Sequence, residues 1–278
     1  MPLGLSLPVV TAGAAAARTF DYAAAAKESV ACALCGQAGF EPLASIDRHG
    51  MGLATVGCRT CGLVQTRPRL TAAAFDAFYR DDYRAYYQGV FQALRSGGFA
   101  GPLLGVEPGS AFRDYAAERY GAEIVAADAE MPVRWRGSVG SASMIHVLEH
   151  VADPVATLAG LRELLSPGGH VYIDVPDVAV YSSLKDLDIA HVHHFSATTL
   201  GQTLEAAGLD VLRIDAHRPP GHPPSLRALA ASGTPRRAAA FACDSTGWAA
   251  IRRINRQRSK LALKRAVRRW RGRGSRVA

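Results

Sequence analysis

No run of about 18 consecutive apolar residues occurs in the 278-residue chain, so no segment reads as a membrane-crossing helix. Basic residues are missing from the start as well: MPLGLSLPVVTAGAAAARTF reaches its first arginine at Arg18. A secretory signal opens on positive charge, so residues 1–28 read as a flexible tail. Cysteine is scarce, five residues in all. Four of them fall in two CxxC pairs, which points to metal binding in a reducing compartment and predicts a cytoplasmic protein. Acidic residues are absent from Arg252 onward, where 12 Lys or Arg stand. The net charge of +8 therefore belongs to that end; without it 20 basic residues face 24 acidic ones, and the body is mildly acidic. Hydrophobic residues make up 49%, enough to build a globular core.

The most informative stretch runs from Met144 to Asp177. Met144 to Leu148 is a short apolar run suited to a buried strand. Asp153 is placed to cap a helix with Pro154 at its first position. Leu158, Leu161 and Leu165 give that helix one apolar face, and Pro167-Gly168-Gly169 stops it. Val171, Ile173 and Val175 then alternate with Tyr172 and Asp174, as in a strand. Strand, helix and strand in this order make one parallel unit of an α/β sheet.

Near the start, Cys32-Ala-Leu-Cys35-Gly36 and Cys58-Arg-Thr-Cys61-Gly62 are two knuckles that can bring four thiolates to one tetrahedral zinc. A glycine after each second cysteine lets the backbone turn around the ion. Two separate pairs of buried cysteines are the plain alternative, and a redox CxxC fits less well, since no thioredoxin-like strand and helix flank either pair. Cys243 reads as a free thiol. Residues 71–95 read as helical and carry an aromatic cluster, Phe75, Phe78, Tyr79, Tyr83, Tyr86 and Tyr87, expected to pack the cysteine module onto the rest.

These motifs carry a resemblance. HVLEHVADPVATLAGLRELLSPGGHVYIDVPD is similar to the later half of a class I S-adenosylmethionine-dependent methyltransferase, covering its fourth strand, the following helix and the Pro-Gly-Gly turn into the fifth. The knuckles, with Leu63-Val64-Gln65 and Pro68 behind them, resemble the zinc module of a bacterial subgroup that includes sugar C-methyltransferases. The resemblance covers about residues 30–215. It implies a Rossmann-like α/β sheet, methyl transfer from S-adenosylmethionine to a small hydroxylated acceptor of the sugar type, and a structural zinc on Cys32, Cys35, Cys58 and Cys61. The expected layout is a zinc ribbon at 29–70, a methyltransferase-like domain at 71–216, a linker at 217–250 and a basic helical tail at 251–278.

One part of the family pattern is missing. A strand, a glycine-rich loop and a helix should open the sheet, because such a loop lets backbone approach a cofactor. Only SGGFAGPLLGVEPGS stands in its place. In one register Leu103 to Glu107 is the second strand, Ala111 to Tyr120 a helix and Ala122 to Asp128 the third strand. In the other, Leu103 to Gly109 is the opening strand and loop. The second leaves too few residues before Met144 for a further helix and strand, so the first is preferred and 131–140 reads as a loop. The opening unit is then deleted, and the missing strand belongs at the sheet centre beside the fourth. The residues implied to hold the cofactor are Glu107, Asp128, Ala129 and His146. A chain without this unit is also compatible with a degenerate, non-catalytic methyltransferase-like binding or scaffold protein.

Transfer to an oxygen or carbon acceptor needs a base. Histidine titrates in the useful range. Candidates are His146 and His150 after the fourth strand, and His191, His193 and His194 further on, with His193 in an H-x-x-H-F-S-like segment; three histidines within four residues read alternatively as a structural or adventitious metal site. Asp177 follows the fifth strand and reads either as a substrate contact or as a turn former. Leu200 and Leu204 mark another helix ended by Gly208, and Leu209 to Ile214 another strand. The tail, with Ile251, Ile254, Leu261 and Trp270 on one side, suits a solvated basic extension; binding of nucleic acid or an anionic membrane is the sharper alternative.

Overall fold

The computed structural model describes residues 22–47, 52–75, 91, 94–106, 110–126, 133–188, 190–218, 223–233, 241–257 and 259–260. The expected parallel unit is present. Strand β8 (Val139–Ile145) pairs in parallel with β9 (Leu165–Pro176), and helix α2 (Pro154–Leu164) crosses between them. Asp153 caps α2 by accepting the Ala156 N–H at 2.9 Å, and Pro154 takes the first turn. Leu158 is fully buried under the sheet, a contribution of about 1.5–3 kcal/mol.

Three boundaries differ from expectation. α2 ends at Leu164 and Leu165 already opens β9, so Pro167-Gly168-Gly169 lies within β9 rather than ending the helix. The other two belong to β8. The strand ends at Ile145 rather than Leu148, because His146 adopts a left-handed backbone with φ 52° that leaves the ladder. It also begins earlier, at Val139, inside the stretch expected to be loop; Gly140-Ser-Ala-Ser carries little hydrophobic signal, and its register comes from pairing with β9.

The sheet continues through β12 (Ser225–Ser232) to β11 (Leu209–His217), both antiparallel to their neighbours, in the order β11-β12-β9-β8. The expectation of a linker over 217–250 is thus corrected: β12 lies inside the sheet. Leu226, Ala228 and Ala230 are buried in strict alternation, a period-two pattern that small side chains hide from a hydropathy reading. Helix α3 (Ala197–Ala206) precedes β11, opened by a reciprocal Ser196–Thr199 capping box and followed by Gly208 at φ 80°.

A second parallel unit stands apart. β6 (Leu104–Val106), α1 (Ser110–Tyr120) and β7 (Glu123–Val125) form a two-stranded sheet. Between β7 and β8 the described residues hold only a short 3-10 turn at Val133–Trp135, as the preferred register requires. Among the described residues no strand joins β6 to β8. The interruption lies where the missing opening strand belongs.

The cysteine module is a four-stranded antiparallel sheet, β2 (Phe40–Ala44), β3 (Thr55–Cys58), β4 (Val64–Thr66) and β10 (His193–His194). Its last strand comes from the far end of the chain, so the ribbon expected at 29–70 is not a self-contained unit. Cys32, Leu34, Cys58, Cys61 and Leu63 share one apolar core with Leu148, Ile173, Val175, Phe195 and Leu200. The part of the expected tail that is described, residues 22–28, is anchored too: β1 (Lys27–Glu28) pairs with β5 (Arg69–Leu70), and Tyr22 is buried with Leu53 and Leu70.

The start of the basic tail is also docked. A helix over residues 246–257, α4, buries Ala250, Ile251 and Ile254 against Leu43, Val64, Val178 and Tyr181. Arg252 pairs with Glu41 at 2.7 Å and Arg253 donates to the Tyr181 carbonyl at 3.0 Å. The expectation of a solvated extension therefore fails for residues 251–257, whose apolar side is covered by the ribbon. Leu261, Trp270 and the aromatics Phe78 to Tyr87 lie outside the described residues.

Candidate functional site

The two knuckles close on one point. Gly36 and Gly62, each following a second cysteine, have φ of 71° and 84°, and their N–H groups donate to the Cys32 and Cys58 carbonyls at 2.8 and 2.9 Å. The turns aim four sulfurs inward: Cys32 to Cys61 and Cys35 to Cys58 are each 3.5 Å apart, and all four lie within 4.8 Å of one another. A tetrahedral zinc with bonds of about 2.3 Å sets sulfurs about 3.8 Å apart, so the four thiols fit such an ion and leave no open position. Without an ion the cluster shares its protons unevenly. The hydrogen bond with Cys61 pulls the Cys32 thiol down to about 5, while burial pushes Cys35 up to about 12. A cation removes that conflict by deprotonating its ligands.

A second cluster gathers after β8. His146 turns out of the sheet, its N–H bonded to the Asp174 carbonyl at 2.8 Å. Glu149, 1% exposed, places Oε1 3.3 Å from His146 Nδ1 and 3.7 Å from His150 Nε2. Burial works against a charged His146, but the Glu149 and Asp174 carboxylates outweigh it and hold its pKa above the usual histidine value. His150 Nδ1 bonds the Ala190 carbonyl at 2.8 Å; a carbonyl only accepts, so Nδ1 carries a proton there and Nε2 is turned toward Glu149. The His191 ring meets His150 edge-on at 5.0 Å between centroids.

His193 and His194 sit deeper, both 1% exposed and part of the ribbon sheet through β10. Burial pushes their pKa values down to about 4 and about 3. His193 Nε2 faces the Ala152 carbonyl and His194 Nδ1 the Tyr181 hydroxyl. His193 is thus neutral and walled in by β4, and its backbone N–H donates to the Glu149 carbonyl at 3.0 Å, which makes it part of the scaffold behind His146 and His150. Asp177 caps a 3-10 turn by accepting the Ala179 N–H at 2.9 Å, the turn-forming role.

Sequence reasoning missed Asp174, His217, Tyr172 and Tyr181. Asp174 lies on β9, buried, with His217 Nε2 2.8 Å from its Oδ2 and Tyr172 Oη at 3.3 Å. An aspartate among valines and isoleucine in a buried strand was the available signal; nothing in the sequence tied His217 to it.

Of the residues implied for the cofactor, only His146 is described; Glu107, Asp128 and Ala129 are not. In the sequence Glu107 directly follows β6, and Asp128 and Ala129 stand three and four residues after β7.

A methyltransferase-domain family matches residues 50–214, more than half of the chain. The chain belongs to this family: it is a class I S-adenosylmethionine-dependent methyltransferase domain with an N-terminal four-cysteine cluster. No curated protein matches it. Among solved structures it is similar to an S-adenosylmethionine-dependent methyltransferase from Mesorhizobium loti, at 16% identity and a TM-score of 0.43 over 51% of this chain and 86% of that one. It is similar to the 1,6-didemethyltoxoflavin-N1-methyltransferase of Burkholderia thailandensis, at 17% identity and TM-score 0.43 over 69% and 99%. A complex of the Haloferax volcanii Trm112 methyltransferase activator with a methyltransferase matches at 16% identity and TM-score 0.44, over 54% and 79%.

Proposed function

We propose that this protein transfers the methyl group of S-adenosylmethionine to a small hydroxylated acceptor of the sugar class, in the cytoplasm, with a structural zinc on Cys32, Cys35, Cys58 and Cys61. The cofactor, when bound, supplies a methyl group on a sulfonium that leaves readily. The chain's own task is to align the acceptor and accept its proton. The observation that carries this reading is Glu149, which faces both His146 and His150 at the carboxyl end of β8. Either imidazole, held in place by that carboxylate, is positioned to take a proton from an acceptor hydroxyl or an adjacent carbon. His193 we assign to the fold rather than to chemistry, because it is enclosed between β4 and the Ala152 turn.

Calorimetry with S-adenosylmethionine and with its demethylated product tests the reading on folded, zinc-loaded protein. Binding of both, followed by methyl transfer to a nucleotide-linked sugar, supports it. No binding at millimolar ligand would overturn it. The interrupted sheet between β6 and β8 favours a second reading, a binding protein of methyltransferase ancestry without activity, and that reading requires the calorimetric silence.

A further inference from the structure

Glu149, His150 and His191 each offer one ligand atom, and the three atoms lie within 4.8 Å of one another. Glu149 is almost wholly buried. Its Oε1 faces His146, while Oε2 is buried without a hydrogen-bond partner among the described residues. Among the described residues its Oε1 lies 3.3 Å from His146 Nδ1 and 3.7 Å from His150 Nε2. A buried carboxylate with one unengaged oxygen is costly unless a cation meets it.

The surroundings orient the two imidazoles as metal sites do. A ligating histidine commonly donates its other ring N–H to a backbone carbonyl, which fixes the tautomer and the ring plane. His150 does this toward Ala190 at 2.8 Å, turning Nε2 toward Glu149. The same contact bolts the 188–191 turn to His150. Asp188 closes that turn, its side chain accepting the Ala190 N–H at 3.0 Å and its carbonyl the His191 N–H at 3.1 Å. His191 is thereby held beside His150. His194, next in line at 5.9 Å from the His191 ring, also has a buried Nε2 with no hydrogen-bond partner among the described residues.

We propose that Glu149, His150 and His191 form a second metal centre, which takes a first-row divalent cation such as zinc, iron or manganese. Two imidazoles and one carboxylate suit these ions; calcium and magnesium prefer oxygen alone. Three protein ligands leave open positions, unlike the all-thiolate cluster. Resting on the methyl-transfer reading, an acceptor oxygen occupies one of them, and the cation lowers that hydroxyl's pKa while His146 remains to accept the proton.

The test is metal content and cobalt spectroscopy of the full chain, neither of which needs a methyl donor. After saturation and desalting, the wild type is expected to hold about two ions and the Glu149→Gln and His191→Asn variants about one. Cobalt in the second site should add ligand-field bands without the thiolate charge-transfer bands of the cysteine cluster. Circular dichroism identifies any variant that loses its fold, and the conservative Glu149→Gln keeps the side-chain shape. One ion per wild-type chain, or a second ion retained by both folded variants, would overturn the proposal. Two ions without methyl transfer would leave the centre standing and remove the proposed function.

Discussion

His217 Nε2 lies 2.8 Å from Asp174 Oδ2, joining the end of β11 to a buried carboxylate on β9 across the intervening β12. Removing one member of such a pair strands the other. His217→Ala is therefore expected to cost about 3 kcal/mol in urea unfolding, and adding Asp174→Asn to recover part of that loss. Equal stability of the single and double variants would show that the pair is not coupled.

Chelation is expected to destabilise the whole domain rather than the ribbon alone, because the cysteines share a core with Ile173 and Phe195. Stripped of metal, the protein should unfold in a single transition at a clearly lower temperature. Two separate transitions in calorimetry would contradict the shared core.

Gly62 is the tightest packing point of the knuckles. A Cβ there would lie 2.0 Å from the Asp244 carbonyl oxygen, at φ 84°. Gly62→Ala should cost more than the roughly 1 kcal/mol of backbone strain and detach α4, whose Trp248 Nε1 bonds the Gly62 carbonyl at 3.0 Å. Limited proteolysis near residue 244 reports the detachment; Gly36→Ala, with nothing within 4 Å, should lose stability without it.

His146→Asn is expected to lower kcat by about 100-fold or more while leaving affinity for the acceptor within a few-fold. His193→Asn should instead lower stability and leave the activity of the folded fraction intact. Single-turnover kinetics beside thermal melts separates the two outcomes.

Acid should weaken the fold through His194. Burial lowers its pKa to about 3 in the folded state, so its contribution is fully present above the unfolded value near 6.5 and is lost as pH falls toward 3. Between pH 7 and 5 the loss should be about 2 kcal/mol. His194→Asn, which cannot charge, should flatten that slope; an unchanged slope would remove His194 as its source.

Much of the catalytic half was legible in the chain because its signals are local. Asp153-Pro154 caps a helix wherever it lies, the leucines of α2 repeat along one face, and Ser196 starts α3 by bonds reaching three residues. The knuckles announced themselves by cysteine and glycine spacing alone. β12 was hidden because its buried face is mostly alanine, and the docked part of the basic tail because charge outnumbers its two isoleucines.

The sequence by itself determined the family, the cysteine cluster and the order of β8, α2 and β9, since each depends on neighbours within a few residues or on a motif. Only the tertiary structure decided which buried groups meet. It set Glu149 between His146 and His150 by turning the backbone at His146. It brought His191 to His150 through the Ala190 carbonyl and carried His217 across β12 to Asp174. It also merged the ribbon with the sheet by pairing β10 with β4. Apart from the first, such contacts join residues tens to more than a hundred positions apart, and what selects them is burial and hydrogen-bond satisfaction in the folded core, which no local pattern encodes.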